Sequence, residues 1–241
     1  MPNRIFFFSD IDDTLMQTRR KTDFTQSTVV GGYTKEGVEN SFFYEGTKLF
    51  IDTLIASNIT FIPTTARNLD SYNRTVFAKE KAIKYVILNF GGLILIDGKI
   101  DSVWQERMSQ SYSNIITIET LFDKINHHLA SLEIELVVKI IDNFYISIYN
   151  KFNLDNKRVL DEVREQLTVF LEIETDFYLY ENDNSFAILP NFLNKKFAVE
   201  YLIENNNPIL TLGAGDNISD LDFMNLSSFR LIPNKVPIEL G

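Results

Sequence analysis

Four apolar residues at positions 5–8, Ile-Phe-Phe-Phe, run straight into Ser9-Asp10-Ile11-Asp12-Asp13-Thr14, so a short β-prone run is closed by three carboxylates within four positions. An unbroken apolar run of this length suits a strand buried on both faces of a parallel sheet. In open parallel sheets, ligands gather outside the carboxyl ends of the strands. The endings of the other apolar runs are therefore the place to look for partners of this acidic cluster. "ITFIP" ends in Thr64-Thr65-Ala66-Arg67, and "PILTL" ends in Gly213-Ala214-Gly215-Asp216, with Lys195 one predicted helix ahead of it.

Between these runs the pattern predicts a strand–helix–strand order. Residues 17–44 are polar and alternate around Gly31, Gly32 and Gly37 like a small hairpin, a flap over whatever lies at the first strand end. Residues 45–57 carry Leu49, Phe50, Leu54 and Ile55 at helical spacing, and a further helix is expected over 69–82. "YVILNFGGLILIDGKI" reads as a strand, a break at Gly91-Gly92 and a hairpin-like continuation. From about Val103 the order changes to a helix reaching residue 131, the strands "EIELVVKII" and "FYISIYN", a helix over 155–170, then "DFYLY" and "SFAIL". That αββαββ order is an antiparallel α+β module. After Pro190 the first pattern returns, with a helix over 197–204, the strand "PILTLGAG", a helix from Ser219 and the strand "FRLI". The expected fold class is α/β, a Rossmann-like parallel-sheet core formed by residues 1–87 and 189–241, with an inserted α+β domain over residues 88–188.

A chain of 241 residues with 45% hydrophobic and 13% aromatic residues can fill such a core plus an insert. The 23 basic against 33 acidic residues give a net charge of -10, which repels nucleic acid backbones and anionic membranes. An anionic small substrate stays compatible, because a bound divalent cation reverses the potential inside one pocket. Without cysteine, disulfides, thiolate metal sites and thiol nucleophiles are excluded, and the expected location is cytoplasmic. The apolar run near the N-terminus is too short for a signal peptide or a membrane span.

Side chains alternate in extended chain, so Asp10 and Asp12 can face one side while Asp13 faces the other. Two carboxylates sharing a small space require a proton or a cation between them, and hard oxygen ligands suit magnesium. A carboxylate beside a cation can attack phosphorus while its neighbour protonates the leaving alcohol. Phosphoryl oxygens need donors and cations, which Thr65 and Lys195 supply. Thr64 and Lys196 compete for those places, and only one residue of each pair is expected to face the pocket.

These residues resemble the haloacid dehalogenase superfamily, specifically the phosphatases with a type-two cap such as the sucrose-phosphatase-like and Cof-like groups. Four motifs carry the resemblance in order: "FFFSDIDDTL" for DxDxT, "FIPTTAR", "LPNFLNKKFAVEYL" and "GAGDNISD" for GDxxxD. The resemblance implies a magnesium-dependent phosphomonoesterase with a small phosphorylated substrate. Asp10 is its nucleophile, and Asp12 protonates the leaving group and later activates water. Asp216 joins Asp10 and the Asp12 carbonyl on Mg2+, while Asp220 and Asn217 support that site. Thr65 binds the phosphate, Lys195 neutralises charge between Asp10 and the phosphoryl group, and the inserted domain is the cap that selects the substrate. Departures are Ala66 where glycine is common, and Asn217 and Ser219 in place of a frequent Ser and Asn.

Arg67 is placed either to reach substrate or to pair with Asp70. Arg19, Arg20 and Lys21, just after the first motif, are either presented by the flap to an anionic substrate or a solvated basic cluster, the latter favoured; His127 and His128 read as ordinary helix residues, and Trp104 with the aromatic residues of the cap strands reads as packing, with stacking on a sugar as the alternative. Two other functions use the same residues: a phosphomutase or phosphotransferase, and a non-catalytic phosphate-ligand sensor. The complete set Asp10, Asp12, Thr65, Lys195 and Asp216 argues against the sensor. Substrate identity and oligomeric state stay open at this level.

Overall fold

In the computed structural model, which describes residues 4–57, 59–132, 134–150, 157–183 and 185–233, the first apolar run forms strand β1 (Ile5–Ser9). Phe6, Phe7 and Phe8 are all fully buried. Consecutive strand residues point to opposite faces, so both faces of the sheet around β1 are covered. The flap follows as β2 (Gln17–Thr18), β3 (Thr28–Tyr33) and β4 (Glu39–Tyr44), joined in the order β2-β4-β3. It lies close over Met16, since a Cβ added at Gly31 would come within 2.3 Å of the Met16 sulfur.

Helix α1 (Glu45–Ala56) forms where expected, but its buried residue is Ile51, with Leu54 and Ile55 half-buried. Leu49 and Phe50, on the expected apolar face, are 67% and 45% exposed. Next come β5 (Ile59–Pro63) and α2 (Leu69–Asn73). The helix expected over 69–82 stops at this single turn and a short 3-10 turn over Val76–Lys79. Thr75 between them is extended, bridges Gly32 of the flap and donates its hydroxyl to the Tyr72 carbonyl. That local bonding competes with continued helix.

Strands β6 (Tyr85–Leu88), β7 (Leu93–Ile96) and β8 (Lys99–Ile100) make an antiparallel meander, after which α3 (Ser102–Tyr112) and α4 (Ile118–Leu129) replace the one long helix expected from Val103. The break is at Thr117, which is extended and caps α4 by accepting from Thr120 N. The remaining elements are β9 (Leu136–Ile141), β10 (Tyr145–Asn150), α5 (Lys157–Ile173), β11 (Phe177–Asn182), β12 (Ser185–Pro190), α6 (Lys195–Asn206), β13 (Leu210–Ala214), α7 (Leu221–Met224) and β14 (Phe229–Leu231). The expected start of α5 at residues 155 and 156, and residue 133 ahead of β9, lie outside the described residues.

Two compact units result. One runs to Gln105 and resumes at Asn194, and the other is Glu106–Leu193. These boundaries differ from the expected 87/88 and 188/189. Residues 85–100 stay with the first unit because Thr64, just past β5, bridges Ile87 in parallel and carries the core sheet on into β6.

In the first unit the central sheet has the order β14-β13-β1-β5 with every pair parallel. From β1 the chain continues to β5 on one side and returns as β13 on the other, so the order reverses between β1 and β13. A crevice at such a switch point is where open α/β sheets bind ligands. The second unit is an antiparallel sheet, β11-β12-β10-β9, whose Ile146, Ile148, Phe186 and Ile188 share one core with Leu121 and Ile125 of α4 and Val163 and Leu167 of α5. Among the described residues, no helix is long and apolar enough to cross a membrane.

Candidate active site

Everything chemical gathers at the carboxyl ends of β1, β5 and β13 in the first unit. Register sets the first contact: Ser9 pairs with Ala214, and Asp10 N donates to Ala214 O at 2.9 Å. Asp10 and the Gly215-Asp216 turn therefore leave the sheet side by side. At Gly215 the backbone passes so near Asp220 that an added Cβ would lie 2.4 Å from the Asp220 Cβ. Asp220 closes this turn by accepting from the backbone N–H groups of Asp216 at 3.3 Å and Asn217 at 3.2 Å. Asn217 caps the same turn by accepting from Ser219 N.

Lys195 is the first residue of α6, and Asn194 before it caps the helix by accepting from Lys196 N. Its ammonium donates to Asp10 Oδ1 at 2.6 Å and to Asp220 Oδ1 at 2.7 Å, with all three residues buried. Of the two adjacent lysines it is Lys195 that reaches the acidic cluster. The Thr14 hydroxyl sits between the remaining carboxylates, 2.7 Å from Asp216 Oδ1 and 3.1 Å from Asp10 Oδ2. One hydroxyl proton cannot serve both oxygens fully.

Carboxylate oxygens of Asp10, Asp216 and Asp220 lie within 4.8 Å of one another. With all three ionised, one ammonium would leave two negative charges uncompensated at a site where Asp10 and Asp220 are buried and Asp216 half-buried. Burial pushes the Asp10 carboxyl well above the ordinary range, with Lys195 opposing and Asp220, Asp216 and Asp12 adding. Burial likewise pushes Asp216 up to about 6, against the hydrogen bond from Thr14 and with added repulsion from Asp220. A divalent cation matches this deficit in charge, and an all-oxygen donor set suits a hard ion such as magnesium. The residues present fit that group.

Asp12 is not part of this carboxylate cluster. Asp216 and Asp220 are the carboxylates that crowd Asp10, while the charge of Asp12 also acts on it. Arg67 instead takes the Asp12 carboxylate in a two-pronged ion pair, Nε to Oδ2 and Nη2 to Oδ1, each at 2.7 Å. Asp70, the alternative partner for Arg67, is bound by Arg74. Burial works against the Arg67 charge, but the bonds from Asp12 outweigh it and hold the guanidinium more firmly charged. Thr65 is buried at the end of β5, and its Oγ1 accepts from Arg67 N at 3.1 Å. Thr64 is turned into the sheet, its hydroxyl donating to Ile62 O.

The other candidates sit elsewhere. Lys21 pairs with Asp13 at 2.6 Å, and Arg19 lies over the Phe42 ring. His128 contacts Gln166 O, and Trp104 donates to Gly91 O inside the first unit. Two contributors were not singled out from sequence. Thr14 had a signal, as the last letter of DxDxT. Ser41, 3.4 Å from Arg67 Nη2, had none.

No family model matches the chain, and no curated protein matches it. Solved structures do. The sucrose-phosphatase from Synechocystis sp. PCC6803, determined in complex with sucrose and phosphate, is similar at 16% identity and TM-score 0.60, over 98% of this chain and 84% of that one. The C-terminal domain of trehalose-6-phosphate phosphatase from C. albicans matches at 14% identity and TM-score 0.64, over 92% and 73%. The N-terminally truncated IMP-nucleotidase of Plasmodium falciparum, bound to IMP, matches at 14% and TM-score 0.58, over 95% and 64%. At these identities the likeness is one of fold: the chain shares the fold of these phosphatases.

Proposed function

We propose that this chain is a magnesium-dependent phosphomonoesterase that hydrolyses a small phosphorylated metabolite through a phosphoaspartyl intermediate on Asp10. The observation that carries the reading is the largely buried cluster of Asp10, Asp216 and Asp220, with Lys195 on Asp10 and Asp220, at the switch point of a parallel sheet. Such a site favours a cation and, through it, an anionic phosphoryl group.

The residues divide the work by what each still has to offer. Asp220 has one oxygen on Lys195 and the other on two backbone N–H groups, so it holds the site together. Asp10 Oδ2 and Asp216 Oδ1 meet only the shared Thr14 hydroxyl among the described contacts, which leaves them as the metal-facing oxygens, joined in this reading by the Asp12 carbonyl. Magnesium when bound supplies charge neutralisation for the carboxylates and the phosphoryl oxygens. Asp10 attacks phosphorus in line with the leaving oxygen, Asp12 gives that oxygen its proton, and Lys195 offsets charge on the transferring group. Thr65 accepts from Arg67 N and so keeps its own hydroxyl proton to donate to a phosphoryl oxygen.

The unit Glu106–Leu193 serves in this reading as the cap that selects the substrate. Sugar phosphates are the first compounds to try, because two of the similar structures are phosphatases named for sucrose and for trehalose 6-phosphate. A cytoplasmic small-molecule role accords with a cysteine-free chain of net charge -10, which does not favour nucleic acid or anionic membranes. The test is phosphate release from a panel of sugar phosphates, a nucleotide and an aryl phosphate, with magnesium or chelator, for wild type and Asp10→Asn. Magnesium-dependent release that vanishes in Asp10→Asn is expected. Folded wild type that releases phosphate from no compound would overturn the reading.

A further inference from the structure

Arg67 is held more tightly than a substrate-binding arginine needs to be. Its side chain is 17% exposed and spends Nε and Nη2 on the two oxygens of Asp12, while Nη1 donates to Ser71 O at 3.2 Å and Nη2 also approaches Ser41 Oγ at 3.4 Å. Its backbone is tied down as well. Arg67 N donates to Thr65 Oγ1, and Arg67 O accepts from Asn89 N at 2.9 Å. Flap strand β4, helix α2 and the end of β6 thus converge on one guanidinium, and that guanidinium is aimed at Asp12.

We infer that Arg67 is a positioning residue that fixes Asp12 as the proton acceptor for the second half of the reaction, and that it does not bind substrate. The inference rests on the phosphatase reading above. A fork of two N–H groups fits a carboxylate whose two oxygens both accept. Each Asp12 oxygen keeps a second lone pair outside the fork, so Asp12 can give or take a proton without leaving Arg67. A good leaving group departs with little need of that proton, whereas attack by water needs Asp12 to take one. In that second half, water oxygen bonds to phosphorus as the phosphorus–oxygen bond to Asp10 breaks. The electron pair returns to Asp10, the water proton passes to Asp12, and phosphate leaves. With a good leaving group, loss of Arg67 therefore slows hydrolysis of the phosphoenzyme more than its formation.

The experiment is rapid-quench and steady-state kinetics on wild type, Arg67→Ala and Arg67→Lys, with an aryl phosphate of good leaving group and an alkyl phosphate of poor one. Arg67→Ala should lower kcat by roughly 10- to 100-fold, the range typical for residues that orient a reacting group. With the aryl phosphate it should release one equivalent of the phenol per site in a burst and accumulate phosphoenzyme, and with the alkyl phosphate, whose departure needs the Asp12 proton, the burst should be smaller. Arg67→Lys, which keeps the charge but not the fork, should behave similarly, and added guanidinium should partly restore Arg67→Ala. In an Asp12→Asn background, removing Arg67 should cost little more. A raised KM with unchanged kcat and no burst, or the full loss persisting in Asp12→Asn, would overturn the inference. Either result can occur while wild type turns over and Asp10→Asn does not, so the inference can fail with the phosphatase reading intact.

Discussion

The Lys195 ammonium lies 2.6 Å from Asp10 Oδ1, in an ion pair whose two side chains are each 8% exposed. An ion pair this deep is sensitive to the loss of one partner, because the other is left charged and desolvated. Lys195→Met would strand both Asp10 and Asp220, 2.7 Å away on the other side of the ammonium. We expect it to lower unfolding free energy by about 3–5 kcal/mol, measured by urea denaturation at neutral pH without magnesium. Saturating magnesium should recover part of that loss, since it compensates the same carboxylates. A Lys195→Met variant as stable as wild type would show that the cluster is not charged as described.

Asp216 gives a prediction in pH. Its carboxyl is raised from 3.8 to about 6, first by burial, so the folded protein binds this proton at higher pH than the unfolded chain does. The stability contributed by this group is therefore greatest below about pH 4 and falls as pH rises through about 6 in the absence of metal. Asp10 is displaced in the same direction. Protons and cation compete for these oxygens, so magnesium should raise the melting temperature strongly at pH 7.5 and little at pH 5. At a hundredfold excess over Kd the gain would be about 2.7 kcal/mol. Asp216→Asn should flatten the metal-free pH dependence and remove most of the magnesium effect. Equal melting shifts at both pH values would contradict the assignment.

The parallel core was legible because its signals are local and dense. Three consecutive phenylalanines mark a doubly buried strand, and the residues that close each strand fall together once the register Ser9–Ala214 is set. What sequence did not disclose was three-dimensional pairing. Strand alternation puts Asp12 on the side of Asp10, whose carboxyl its charge does raise, but it cannot foresee that an arginine 55 positions away takes both Asp12 oxygens. Helix limits failed where single threonines changed the backbone, at Thr75 and Thr117, because hydroxyl bonding to nearby backbone competes with helix. Helical spacing in α1 did not disclose burial: Leu49 stays 67% exposed, and Phe50 stays 45% exposed although its ring meets the buried Phe7.

Gly215 tests how tightly the acidic turn is built. A methyl there would meet the Asp220 Cβ at 2.4 Å and its carboxylate carbon at 2.8 Å. Neither atom is the tip of a flexible chain, so Asp220 must shift and Lys195 with it. Gly215→Ala is expected to cost about 1–3 kcal/mol, the usual range for overpacking. It should also weaken the magnesium-induced melting shift, whereas Gly46→Ala, with nothing within 4 Å of the added methyl, should leave that shift unchanged.

Asp13 makes the opposite kind of prediction. Its φ of 62° is in the left-handed region, where glycine is most at ease and aspartate is one of the few tolerated residues. Its Oδ1 is buried with no hydrogen-bond partner, and Oδ2 pairs with Lys21 at 2.6 Å on a partly exposed surface. Such pairs contribute only about 0–1 kcal/mol, while an unpartnered buried oxygen costs about 1–3 kcal/mol. Asp13→Gly should therefore be at least as stable as wild type and should retain turnover. Asp13→Val should lose about 1–2 kcal/mol or more, because a side chain branched at Cβ is strained further at a positive φ and loses the pair with Lys21. Thermal melts of the two variants side by side decide it: a destabilised Asp13→Gly with weakened magnesium binding would mean that Asp13 belongs to the metal site after all.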